Sequence, residues 1–260
     1  GSGSRKRIRF PRRAILTRFI KSNEAWAEAN LSKPHQRTKA LPPMAYVTPQ
    51  DGQATIFLAK SPSFRAKLAS WLPLGIQSSC KLDLIFTTDV HGRSLDWFYQ
   101  RVKVAKHTIT LVEVLNTGAV IGMYASETWH KGISVYGNGQ CFLFRASPNP
   151  KCYKWRPEQH SSDDEHDDDD DDNNDMALSE QFMVSTNDYI SMGANEGGLC
   201  GLRLNQDFTR GESATAKGFA NEPLAGKNVT TFDVGLVEVY RFIRSLDGKP
   251  MDSTQPVWNM

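Results

Sequence analysis

The sequence predicts a mainly β domain with a few helices (α+β), and three observations carry that reading. Apolar and polar residues alternate in short runs, most clearly over residues 108–115, 119–126 and 231–243. A period of two marks a strand with one buried face. Turn signals separate the runs: Asn116-Thr117-Gly118 leaves a three-residue gap with a glycine, and Gly137-Asn138-Gly139 turns the chain again. Hydrophobic residues make up 39% of 260, with 13 Phe, which suits one domain with a full core and tails.

Taken in order, Gly1-Ser2-Gly3-Ser4 reads as a cloning scar, so the chain is expected to be cut from a longer protein. Residues 5–54 form an arm and a connection. Arg5, Lys6, Arg7, Arg9, Arg12 and Arg13 give six basic residues in nine, interleaved with Ile8 and Phe10. Such an arm is attracted to phosphates or anionic headgroups; it reads equally as a linker from a neighbouring domain. Residues 14–31 fit a helix with Ile15, Phe19 and Ile20 on one side and Asn23, Glu24 and Glu28 on the other. Pro34, Pro42, Pro43 and Pro49 make residues 32–53 an extended connection.

The domain proper is expected over residues 55–244. Residues 55–58 fit an edge strand, and Ser63 precedes a short helix over 64–69 that Pro73 stops. Leu82-Asp83-Leu84-Ile85-Phe86-Thr87-Thr88 reads as a half-buried strand, and His91-Gly92 breaks it. Leu95, Phe98, Tyr99 and Val102 recur at i, i+3, i+4 and i+7, one face of a helix capped by Ser94 or Asp96. The hairpin of residues 108–126 follows, then a strand at Cys141-Phe142-Leu143-Phe144. Glu113 interrupts the apolar run Ile109-Thr110-Leu111-Val112-Glu113-Val114-Leu115; a buried carboxylate must find a partner, so an edge or bulge position is expected there. Gly193, Gly197, Gly198 and Gly201 allow positive φ and close backbone approach. No Gly-Lys-Ser/Thr follows, so this is no phosphate-binding loop. Cys200, Leu202 and Leu204 alternate with Arg203 as in a strand. Residues 231–243 alternate, through Phe232, Val234 and Leu236 and then Val237 and Val239, and are expected to close the sheet. Residues 245–260 form a tail.

The formal charge of +2 conceals an asymmetry. Residues 163–175 hold ten acidic residues and no Lys or Arg, so 157–178 reads as an acidic disordered insertion. The rest has 31 basic against 19 acidic residues, a net of +12, which favours acidic partners such as an anionic membrane or an acidic protein face. No nucleic-acid partner is expected. Cys80, Cys141, Cys152 and Cys200 show no C-x-x-C spacing and stand near no paired histidines, so neither a metal nor another cofactor is expected. With no apolar run long enough to span a bilayer and no secretory segment, free thiols in a cytoplasmic setting are expected.

Several blocks in order resemble a TLDc domain. They are the run from Ile85 to Leu95, Val120-Ile121-Gly122-Met123-Tyr124, Gly137 to Phe144, Met192-Gly193 to Leu204, Arg210-Gly211-Glu212-Ser213, Phe219-Ala220-Asn221 and Val237-Glu238-Val239-Tyr240. The resemblance covers residues 66–243. The lead-in Ser70-Trp71-Leu72-Pro73 is similar to TLDc domains that follow a Rab-GAP-type TBC domain. The chain departs from the family at Ala194, Asn195 and Glu196, where a longer glycine run is usual. It departs again at residues 214–218, where many members place a Cys.

The resemblance implies a two-sheet antiparallel β-sandwich with a few flanking helices. It also implies a non-catalytic module that binds the vacuolar-type proton ATPase and serves oxidative-stress resistance. The TBC-linked subfamily adds Rab GTPase machinery, vesicle traffic and a peripheral position on vesicle or endolysosomal membranes. Gly92, Gly122, Gly193, Gly197, Gly198, Gly211, Ser213 and Glu238 are the matched positions expected to bind a partner or to hold the fold. A hydrolase or redox enzyme built on Ser213 with His91, His107 or His130 is the competing reading. It lacks a Gly-x-Ser-x-Gly elbow, and Gly211 is explained by turn chemistry.

Overall fold

The computed structural model describes residues 61–77, 80–132, 134–156, 180, 182–195 and 197–244. In chain order they form α1 (Pro62–Trp71), α2 (Leu74–Gln77), β1 (Cys80–Thr87), α3 (Thr88–His91), α4 (Leu95–Val102), β2 (Thr108–Val114), β3 (Val120–Ala125), β4 (Phe142–Ser147), β5 (Lys151–Lys154), β6 (Met183–Ser185), β7 (Tyr189–Ala194), β8 (Cys200–Asn205), β9 (Arg210–Glu212), a 3-10 turn (Lys217–Phe219) and β10 (Thr231–Arg244). The expected arm, its helix, the connection, the edge strand at 55–58, the acidic insertion and the tail lie outside the described residues.

Strand β10 organises the rest. The strands follow one antiparallel path, β5-β4-β3-β2-β10-β9-β8-β7-β6, with β1 also paired to β10. Thr231, Phe232 and Asp233 pair with β9, whereas the later residues take β2 on one side and β1 on the other. Between Val234 and Val237 the register slips. A bulge bends its strand and strengthens the twist, so the two halves of β10 enter two sheets.

Those sheets face each other, as expected of a sandwich. Val112, Ile121, Met123 and Leu143 of one sheet share a core with Met183, Ile190, Met192, Leu202 and Leu204 of the other. Alternation on β10 sends Val237 and Val239 into this layer, while Tyr240 and Phe242 point the opposite way. There a second core forms under α1, whose Phe64, Leu68, Ala69 and Leu72 pack with Ile109, Leu111, Tyr124, Phe142 and Phe144. Each large apolar side chain so buried contributes about 1.5–3 kcal/mol.

The hairpin of β2 and β3 closes through the expected gap, with Gly118 N–H donating to Val114 O at 2.8 Å. Helix α4 buries Leu95, Phe98, Tyr99 and Val102, and Ser94 supplies its cap by accepting from Asp96 N–H at 3.2 Å. Other expectations shift. β1 ends at Thr87 because the Thr87 hydroxyl caps the α3 turn, accepting from Asp89 N–H. Thr88 then accepts the Val237 N–H that the β10 bulge displaces. α1 begins at Pro62 rather than after Ser63, since proline suits the first helical position. Glu113 lies on no edge: β2 is flanked by β10 and β3. Its carboxylate instead accepts from Leu236 N–H at 3.2 Å, filling the bulge of the opposing strand.

Candidate interaction surface

The matched residues divide by depth. Gly211 belongs to β9 and not to a turn, which corrects the expectation. A side chain there would come within 2.5 Å of the Phe232 ring and 3.1 Å of Arg203 O. The strand needs glycine because the end of an aromatic ring occupies the space a Cβ would take. In β3, Gly122 is pressed between Thr110 O and the Phe144 ring. Gly193 has φ of +72° and stands 2.8 Å, measured from an ideal Cβ, from the Ala216 methyl; both conditions exclude an ordinary side chain. Gly92, Gly197 and Gly198 reach solvent, the latter two in the β7–β8 turn where Asn195 N–H donates to Leu199 O.

Ser213 is fully buried. Its hydroxyl donates to Gly201 O at 2.6 Å and accepts from Leu224 N–H at 2.9 Å. Beside it Asn221, also buried, donates to Ala214 O and accepts from Ala216 N–H. These bonds fasten residues 213–224 across the end of the second sheet. The histidines are engaged elsewhere. His91 Nδ1 lies 3.0 Å from Thr87 N and its ring stacks on Phe86. His107 Nδ1 lies 2.8 Å from the Tyr124 hydroxyl, and His130 Nδ1 is near Thr128 O. Burial, assisted by the charge of Arg101, lowers the pKa of His91; burial, assisted by Lys106, lowers that of His107.

Glu238 is 1% exposed, on the α1 side of the first sheet. Tyr240 Oη donates to its carboxylate at 2.9 Å. A carboxylate in an apolar layer is held only by such donors. Cys141, Cys152 and Cys200 carry free thiols. Burial raises the pKa of all three, that of Cys152 to about 12, so none is poised as a thiolate. Among the described residues no three His, Cys, Asp or Glu side chains converge on a point where a metal would sit. No helix among them is long and apolar enough to cross a membrane.

Sequence reasoning missed three surface features. Arg93 forks into the β10 bulge, donating to Gly235 O and Phe208 O at 2.5 Å each and to Val234 O at 3.3 Å. Glu222 gathers Arg145, Lys151 and the Tyr153 hydroxyl on one oxygen, at 3.0, 3.3 and 2.6 Å. The hydroxyl, more than the two cations, lowers its pKa. Trp97 stands exposed on α4, where its place off the apolar stripe was the available signal. Two shallow grooves accompany these features. One of about 410 Å³ runs by Arg93, Asp96, Lys131 and Asp207. Another, of about 370 Å³, lies by Arg203, Arg210, Glu212 and Phe232. Arg5, Lys6, Arg7, Arg9, Arg12 and Arg13 are outside the described residues.

Comparison with known proteins accords with this arrangement. The family model described as the TLDc domain matches residues 60–243. GTPase-activating protein skywalker of Drosophila melanogaster is 30% identical over 189 residues, which is 69% of this chain and 29% of that protein. TBC1 domain family member 24 of Xenopus laevis is 27% identical over 207 residues, covering 66% of this chain and 36% of that protein. The chain thus spans about a third of the length of these relatives. Oxidation resistance protein 1 of Kluyveromyces lactis is 27% identical over 215 residues, 80% of this chain and 84% of that protein. With most of its length matched and the paired sheets in place, the chain belongs to the TLDc domain family.

Proposed function

We propose that this domain is a non-catalytic docking module that binds the vacuolar-type proton ATPase and contributes to oxidative-stress resistance. One observation carries the reading. The match reaches 84% of the length of a protein named for oxidation resistance, so that role resides in a stretch this chain shares. The buried matched residues support it from within: Ser213, Glu238, Gly122, Gly193 and Gly211 hold the scaffold, while Gly92, Gly197 and Gly198 reach the surface where a partner touches. The test is retention of the purified peripheral sector of the ATPase on the immobilised chain. Leu199→Asp, at the exposed β7–β8 turn, is expected to reduce retention with an unchanged melting temperature. Failure of the unaltered chain to retain the sector overturns the proposal.

A second reading has its own support in the 30% identity to a GTPase-activating protein. In it, the domain is one part of a TBC-type regulator of Rab GTPases in vesicle traffic, acting on the cytoplasmic side of vesicle or endolysosomal membranes. The arm of Arg5, Lys6, Arg7, Arg9, Arg12 and Arg13 then adds attraction to anionic lipid. Capture of Rab proteins by the chain, in place of ATPase subunits, favours this reading over the first.

A further inference from the structure

The outer surface of α4 combines two chemistries seldom left exposed together. Val90, Trp97 and Val104 are 52%, 52% and 66% exposed. Trp97 and Arg101 stand at i and i+4 on α4 and share a face, and Val104 follows in the turn just past the end of the helix. The opposite face, with Leu95, Phe98, Tyr99 and Val102, is locked in the core, so the helix cannot roll to hide the indole. Val90 lies on the neighbouring α3 turn. Phe86, Phe98 and His91 pack ring to ring beneath both elements, which fixes the turn relative to the helix.

Cations surround these apolar groups. Arg93, Arg101, Lys103 and Lys131 are all exposed, against Asp89 and Asp96. Lys131 pairs with Asp96 at 2.7 Å. Among the described residues, neither Arg101 nor Lys103 has an acidic partner within salt-bridge distance. The groove nearby is bordered by Arg93, Ser94, Leu95, Asp96, Lys131 and Asp207, and Trp97, Val90 and Val104 stand outside it. A rigid display of an indole and two valines beside two cations, Arg101 and Lys103, that have no acidic partner among the described residues complements an anionic surface.

We propose that this face docks on a phosphatidylserine-containing leaflet, with Trp97 and Val90 entering the headgroup layer and Arg101 and Lys103 meeting the lipid charge. An indole has an apolar body and an N–H donor, the pairing that concentrates tryptophan at membrane–water boundaries. Each cation near a charged leaflet strengthens binding about fivefold. This surface uses none of the residues of the N-terminal arm and does not depend on ATPase binding.

The test is sedimentation of the full chain with vesicles of phosphatidylcholine alone and of phosphatidylcholine with phosphatidylserine. The chain is expected to bind the mixed vesicles and to be released by salt. Trp97→Ala should weaken binding about tenfold, and the pair Arg101→Ser, Lys103→Ser about twenty-five-fold. All of these side chains are exposed, and an unchanged unfolding midpoint confirms that the fold is intact. Equal binding to both vesicles, no binding at all, or full binding by the folded Trp97→Ala chain overturns the proposal. Loss of ATPase retention in the same variant, with vesicle binding unchanged, also overturns it and identifies the face as a protein contact.

Discussion

At the scale of the residue, the positions that look most chemical are spent on holding the chain. The Ser213 hydroxyl satisfies one buried carbonyl and one buried N–H. Ser213→Ala leaves both without a partner. That costs about 1–3 kcal/mol, read as a lowered midpoint in denaturant titration. His107 makes a different prediction. Its pKa in the folded protein lies below the ordinary value, chiefly through burial. The unfolded chain therefore takes up this proton first, near pH 6.5. Stability is full above that pH and falls as the pH drops through 6.5 towards the folded-state value, with His91 acting in the same direction. Because φ at His107 is +58°, His107→Asn is the suitable replacement, since asparagine tolerates that conformation. Unfolding free energies at pH 7.5 and 5.5 should converge in this variant relative to the parent.

Among elements, what the sequence discloses depends on how local the cause is. Helix α4 was legible because its four core residues repeat at the helical period. The β2–β3 hairpin was legible because its turn sits between two runs. The last strand was legible from its alternation, but its bulge was not: the register slip between Val234 and Val237 shows only against β2. Strands β5 and β9, of four and three residues, were not legible, since so short a run acquires its conformation from the partner strand. Gly211 was misread for the same reason: the ring that demands it belongs to Phe232, on another strand. Nor did the sequence disclose the Arg93 fork, whose three acceptors are more than a hundred residues away. That fork ties the start of α4 to the bulge. Arg93→Lys keeps the charge but offers one nitrogen in place of a planar pair. It should cost about 1.5–3 kcal/mol for the lost charged hydrogen bonds. Hydrogen exchange should then quicken at Gly235 and Leu236 before the rest of β10.

For the molecule as a whole, the exposed Trp97 face and the β7–β8 turn are carried by one framework in which each sheet supports the other. The sandwich followed from the family resemblance more than from any single strand, because alternation gives each strand a buried face without saying which sheet will cover it. The shared strand has a further consequence for how the protein is made. β10 is the last element of the described chain, yet it is the neighbour of β1, β2 and β9. Until residues 231–244 have cleared the ribosome, those three strands lack their common partner. The hairpins made earlier must wait with edges open, so the nascent domain is most exposed to wrong strand pairing in the interval before residues 231–244 emerge.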